Sequence, residues 1–235
     1  MSVDARDTGS GQVTAGVAAA LAAAEIPRSK LGPARRARLS EAERELYFWI
    51  LRRFASRGRP SSAETRAAAD RLRLDAEATF EALAREDLVH RGGEGEIAVA
   101  YPFSGRPTAY RVRFASGNET YAMCALDALG IASMFDQPVE VVSDDPVSDE
   151  QIRARLTPDG SAEWQPEAAV VVAGAIGARD GDSCHACCPV LNFFSSAANA
   201  ERWLVQHPEA TGRVISIREA AAAGRAVFGD GLAES

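Results

Sequence analysis

Thr120-Tyr121-Ala122-Met123-Cys124-Ala125-Leu126-Asp127-Ala128-Leu129 is the stretch whose reading decides the fold. Tyr121, Met123, Ala125, Leu126, Ala128, Leu129 and Ile131 are apolar on nearly all sides of a helical projection, so the segment from about Glu119 to Phe135 reads as a buried helix. Short strand-like runs surround it: Ile97 to Tyr101, Tyr110 to Phe114, Val139 to Ser143, Val170 to Ala175 and Val214 to Ile217. Further helices are expected from Ala197 to His207 and from Ile217 to Gly224. Strands and helices do not alternate strictly, which points to an α+β fold and away from a doubly wound sheet.

Within the buried helix, Cys124 and Asp127 are three residues apart, about 300° at 3.6 residues per turn, which sets a thiol and a carboxyl on adjacent positions of one face. A carboxylate taken into such surroundings needs a partner or a raised pKa. The plain alternative is a buried cysteine beside an aspartate that hydrogen-bonds a neighbouring loop.

The other three cysteines fall in Cys184-His185-Ala186-Cys187-Cys188, after the polar loop Arg179-Asp180-Gly181-Asp182-Ser183 and before the apolar run Pro189 to Phe194. Four cysteines, three of them within five residues, make a poor disulfide framework, so metal binding, nucleophilic attack or redox exchange is the expected chemistry. Cys184-x-x-Cys187 taken alone suggests a redox pair or half of a zinc site. Neither a second such motif nor a strand leading into a helix accompanies it.

Upstream, residues 1–39 read as a flexible tail, rich in Gly, Ser, Thr and Ala and interrupted by Pro27 and Pro33. Ser40 and Glu43 form a capping-box pattern that opens a helix carrying Leu46, Phe48, Trp49, Ile50, Leu51 and Phe54 and ending near Gly58. Ser61 or Ser62 caps a second helix, and Asp75 caps a third with Phe80 and Leu83. A hairpin of Leu88 to Arg91 with Glu96 to Tyr101 follows. Three helices and a hairpin outline a winged-helix-like domain over 40–96, with an α+β catalytic domain over 97–235.

Charge decides against nucleic acid as a partner. Residues 1–40 hold six Lys/Arg against three Asp/Glu, leaving twenty against thirty in residues 41–235, a net of −10 that repels phosphate. The third helix offers Glu77 and Glu81 against Arg85, a poor set for reading bases. No apolar run approaches the ~18 residues of a membrane span, and the chain starts without a secretory pattern, so a cytoplasmic location is expected.

Tyr121 to Leu129, followed about sixty residues later by Cys188-Pro189-Val190-Leu191-Asn192-Phe193-Phe194-Ser195, resembles the organomercurial (alkylmercury) lyase family. Tyr101-Pro102-Phe103-Ser104, Pro107-Thr108 and Val227-Phe228-Gly229 support the likeness, which covers roughly residues 40 to 229. In that family the second catalytic cysteine lies five residues before the first Phe of the Phe-Phe pair, which selects Cys188 over Cys187. Cys184 and Cys187 receive no role by carry-over.

The resemblance implies a lyase that cleaves the carbon–mercury bond of a small organomercurial R–Hg–X. Cys124 and Cys188 would bind the mercury, and Asp127 would carry the proton to the leaving carbon. Thiolates suit a soft cation. No organic cofactor or resident metal is implied. Small thiols or a mercuric reductase would accept the product. The alternatives are a non-enzymatic thiol-based metal sensor or scavenger, which gives no reason for Asp127, and a thiol oxidoreductase using Cys184 and Cys187.

Overall fold

Ser40 opens the first long helix as its sequence signal predicts: its side chain accepts from the Glu43 N–H while the Glu43 carboxylate accepts from the Ser40 N–H. The same reciprocal cap recurs at Ser61 with Glu64 and at Ser216 with Glu219, and Asp75 accepts from the Ala78 N–H. The computed structural model describes residues 15–24, 26–176, 183–229 and 232, with the Cys184 side chain outside the described part. Most of the polar loop expected before Cys184 also lies outside the described residues.

In chain order the helices are α1 (Ala15–Ala23), α2 (Gly32–Arg36), α3 (Glu41–Arg57), α4 (Ser62–Arg71), α5 (Ala76–Arg85), α6 (Ala125–Phe135), α7 (Ser183–Ala186), α8 (Ala197–Gln206) and α9 (Ile217–Phe228). The strands are β1 (Val89–Arg91), β2 (Ile97–Ala100), β3 (Phe103–Ser104), β4 (Arg111–Phe114), β5 (Glu119–Ala122), β6 (Val139–Asp144), β7 (Gln151–Leu156), β8 (Ala162–Gln165), β9 (Val170–Ile176), β10 (Phe193–Phe194) and β11 (Ala210–Ser216). Eight strands form one sheet in the order β1-β2-β3-β5-β4-β6-β7-β8, and β10-β9-β11 form a second. Every pairing is antiparallel, and the fold is mixed α+β as expected. Because β2 pairs with both β1 and β3, the sheet runs without a break from the hairpin after α5 into the strands that hold α6.

The apolar run in β9 follows from its position between two cores. Val171, Ala173 and Ala175 join the main core, while Val172 packs with Val190, Phe194, Ala200 and Trp203 on the other face. α6 is buried from Ala125 to Met134 and lies against α9. The two backbones touch where both helices carry glycine: a Cβ on Gly130 would stand 2.9 Å from the Gly224 carbonyl, and one on Gly224 would stand 2.7 Å from the Leu126 carbonyl.

Three expectations are corrected. Residues 119–122 are strand β5, and the helix begins only at Ala125, because Thr120 and Ala122 point into the core while Glu119 pairs outward with Arg113. Ile217 starts α9 and does not end a strand, since the Ser216 and Glu219 cap turns the chain there. The segment 17–39 departs from the tail reading: Val17, Ala20, Leu21, Ala24 and Leu39 are buried, and Arg35 and Arg36 are buried with them. Small alanine side chains allow α1 to lie close against α9, β9 and β11, so a composition that suggests disorder serves close packing here.

Candidate active site

Cys124 sits at the end of β5 with extended backbone and is the N-cap of α6. Its Sγ accepts the Asp127 N–H at 3.4 Å, and its S–H donates to Asp127 Oδ2 at 2.9 Å. The two residues therefore meet through an N-cap made by sulfur, with the Asp127 carboxyl turned back onto the capping thiol, and not along the face of a continuous helix.

Cys188 arrives on the turn after α7, with its N–H and that of Cys187 both donated to the Ser183 carbonyl at 3.0 and 3.1 Å. The far end of the turn is clipped to α6 by the Ala125 N–H, which donates to the Leu191 carbonyl at 2.9 Å. The Cys188 Sγ consequently reaches Asp127 Oδ2 at 3.8 Å. Ligand atoms of Cys124, Asp127 and Cys188 all lie within 4.8 Å of one another, so one soft ion can touch all three. The Tyr101 hydroxyl stands 3.9 Å from the Cys188 sulfur, and the Tyr47 hydroxyl donates to the Tyr101 carbonyl at 2.7 Å.

The three groups are nearly closed to solvent, with exposures of 1% for Cys124, 6% for Asp127 and 7% for Cys188. They face a cavity of about 50 Å³ whose walls include Ile26, Tyr47, Leu126, Leu191 and Phe228. Burial pushes the Asp127 carboxyl up to about 7, partly opposed by hydrogen bonds from both thiols and by the Arg35 charge. Burial also pushes the Cys124 thiol up to about 12. The Cys188 thiol is raised as well, first by its contact with Cys124 and then by burial. Three acids share one low-dielectric pocket, so they titrate as a set and the ligand-free site keeps its thiols protonated.

All three residues singled out in the sequence come together. Cys187 lines the same cavity but turns its S–H to the Ser183 carbonyl at 3.4 Å. His185 is exposed, and His207 stacks on Trp203 with ring centres 4.1 Å apart. Tyr121 lies in β5 opposite Arg111 and is not among the cavity walls. Phe193 and Phe194 are core residues of the two clusters. Sequence reasoning missed Tyr47, Tyr101, Arg35, Asp87 and Ser183. Tyr101 and Ser183 stand within longer sequence motifs that do not single them out, and no local pattern marks the others.

The sequence pattern of the alkylmercury lyase family (MerB) matches residues 103–229. A curated alkylmercury lyase of Bacillus cereus is 36% identical over 110 residues, 46% of this chain and 49% of that protein. One of Staphylococcus epidermidis is 32% identical over 129 residues, 54% of this chain and 57% of that protein. These alignments thus span about half the length of the curated relatives. Among solved structures, the mercury-bound form of MerB2 superposes with a TM-score of 0.67 at 17% identity, covering 83% of this chain and 93% of that one, a likeness of fold. Since the family pattern extends over more than half of the sequence and takes in Cys124, Asp127 and Cys188, the chain belongs to the alkylmercury lyase family.

Proposed function

We propose that this protein is an organomercurial lyase that cleaves the carbon–mercury bond of R–Hg–X by protonolysis, giving R–H and Hg(II). The observation that carries the reading is the set of two thiols and one carboxyl within 4.8 Å, buried against an apolar cavity. Asp127, 2.9 Å from the Cys124 sulfur, takes the thiol proton as Cys124 displaces X from mercury. That proton leaves with X as HX. Asp127 next takes the Cys188 proton, 3.8 Å away, as Cys188 adds to the same mercury, and two thiolates push electron density toward carbon. Asp127 gives its proton to that carbon, and the metal stays as a bis-thiolate. One thiol proton leaves with X and the other ends on R–H, so the balance is R–Hg–X plus two thiols giving R–H, HX and the bis-thiolate. A carboxyl with a pKa near 7 suits both receiving and returning a proton at neutral pH.

Mercury here is substrate. The reaction asks for no resident cofactor, and small thiols or a mercuric reductase would take the product by ligand exchange. Residues 40–96 serve as a winged-helix-like scaffold beside a catalytic region over 97–235. Among residues 41–91 ten basic side chains meet ten acidic ones, which favours a scaffold over a DNA reader. Among the described residues no helix is long and apolar enough to cross a membrane, and a cytoplasmic location fits a site that works with free thiols.

The test is headspace gas chromatography after incubation with methylmercuric chloride or phenylmercuric acetate and excess thiol, beside Cys124→Ser. Catalytic methane or benzene from the wild type alone is the expected result. Neither gas from folded, reduced protein that still binds Hg(II) would replace the lyase reading with a sensor or scavenger.

A further inference from the structure

Asp87 is a buried aspartate two residues beyond the end of α5, with a left-handed backbone (φ 53°), and nothing in the proposed chemistry uses it. Its Oδ2 accepts from both the N–H and the hydroxyl of Ser183, at 3.2 and 2.6 Å. Its Oδ1 meets His90 Nε2 at 2.7 Å. Arg35, reaching in from α2, sets Nη2 3.1 Å from Asp87 Oδ2 and donates from Nη1 to the Asp87 carbonyl at 2.7 Å. The same Nη2 lies 3.3 Å from the Ser183 hydroxyl. Hydrogen bonds from His90 and Ser183 and the Arg35 charge hold the Asp87 carboxyl below its ordinary value although burial works the other way.

Ser183 is the residue whose carbonyl receives the N–H groups of Cys187 and Cys188. Asp87 thus grips the backbone and side chain of a residue that anchors the Cys188 turn, and Arg35 ties that grip to the segment that walls the cavity. Resting on the lyase reading, we infer that Asp87, with Arg35 and Ser183, is a positioning residue that fixes the Cys188 sulfur at the distance from Cys124 and Asp127 needed to hold mercury. The turn is held at one end by Ser183 and at the other by the Leu191–Ala125 bond, so a shift at Ser183 is passed to the Cys188 between them. A displacement of 1 Å at a reacting group is worth about 100-fold in rate. Groups that orient metal ligands typically change affinity or activity by about 10–100-fold when removed.

The experiment compares Asp87→Asn, Ser183→Ala and Ser183→Thr with the wild type in two assays: hydrocarbon release, resolved into kcat and KM, and Hg(II) affinity by competition with dithiothreitol. Expected are a fall of about 10–100-fold in kcat and in Hg(II) affinity for Asp87→Asn, with KM moved much less, a smaller fall for Ser183→Ala, and recovery in Ser183→Thr. Ser183→Ala keeps the Arg35–Asp87 pair, so it reports even where Asp87→Asn fails to fold. Values for Asp87→Asn and Ser183→Ala within twofold of the wild type, or a Ser183→Thr variant as impaired as the alanine, would overturn the positioning role. A wild type that binds Hg(II) but releases no hydrocarbon would sink the lyase reading while the affinity pattern still decided this one.

Discussion

Asp127 is where stability and chemistry pull in opposite directions. Its folded pKa of about 7 stands above the ordinary 3.8 because burial penalises the charged form. Stability from this group is therefore fully present below the unfolded value and is lost as pH rises through about 7. Asp127→Asn keeps the shape and removes the ionisation, so by calorimetry it is expected to melt higher than the wild type at pH 8, by a margin that narrows as pH falls below about 7 and closes only near the ordinary 3.8. The same variant is expected to lose at least about 100-fold in hydrocarbon release while both cysteines still bind Hg(II). Full activity in it would remove Asp127 from the mechanism. On the proposed mechanism the wild-type carboxylate has to be ionised to take the Cys124 proton, so kcat/KM is expected to fall below pH about 7, about tenfold per unit. A flat profile from pH 5 to 8 would contradict that order of proton transfer. At this scale the site was legible: the apolar surroundings marked Asp127 as costly, and the resemblance chose Cys188 over Cys187. Cys124 as a helix cap was not legible, because Cys is not a residue that announces an N-cap.

α6 owes its place to α9, and the contact depends on two glycines. A methyl on Gly130 would meet Phe228 Cδ2 at 2.5 Å and the Gly224 carbonyl at 2.9 Å, and the carbonyl, being backbone, cannot swing aside. Gly130→Ala is expected to destabilise by about 1–3 kcal/mol, the usual cost of overpacking, and to lower activity because α6 carries Asp127. Thermal unfolding checks the first part, at about 2–4 °C per kcal/mol for a chain of this size. Gly93→Ala, with nothing within 4 Å of its added carbon, is the control and is expected to be silent. Equal melting of the two variants would show that the helices can move apart freely. Element by element, the helices opened by Ser40, Ser61 and Asp75 were legible nearly to the residue, because the capping signal is local, whereas α9, also capped by a serine, runs on to Phe228 beyond its expected end at Gly224. β7 and β8 were not foreseen, although Gln151 to Leu156 alternates polar and apolar with the period of two that marks a half-buried strand; four-residue β8, where Glu163 and Gln165 alternate with Ala162 and Trp164, is too short to stand out alone. The glycine contact was equally hidden, since no local pattern reveals that positions 130 and 224 face each other.

Across the whole molecule, the division between tail and body is where composition misled most. Ala-rich, proline-interrupted sequence before residue 40 predicts a loose arm. Yet Ala24, Ile26, Lys30, Gly32 and Arg35 help to wall the cavity, and Arg36 donates to the Phe228 carbonyl at 3.0 Å. Tertiary packing by small residues leaves no periodic mark for a local reading to find. The consequence is measurable. Val17, Leu21 and Leu39 are each buried, at about 1.5–3 kcal/mol apiece as an upper bound, a large share of the 5–15 kcal/mol that holds a typical domain together. Deleting residues 1–39 is therefore expected to lower the melting temperature well beyond the effect of Gly130→Ala. Because the deletion removes one wall of the cavity, Cys124 and Cys188 are also expected to react faster with Ellman's reagent under native conditions. Arg35→Gln separates the two effects: it keeps α1 and its apolar contacts but loosens the link to Asp87 and Ser183, so thiol reactivity should rise with a smaller loss of stability. If the deletion changed neither melting nor thiol reactivity, the segment would be the dispensable arm that its composition suggests. The cavity would then owe its closure to the body of the fold alone.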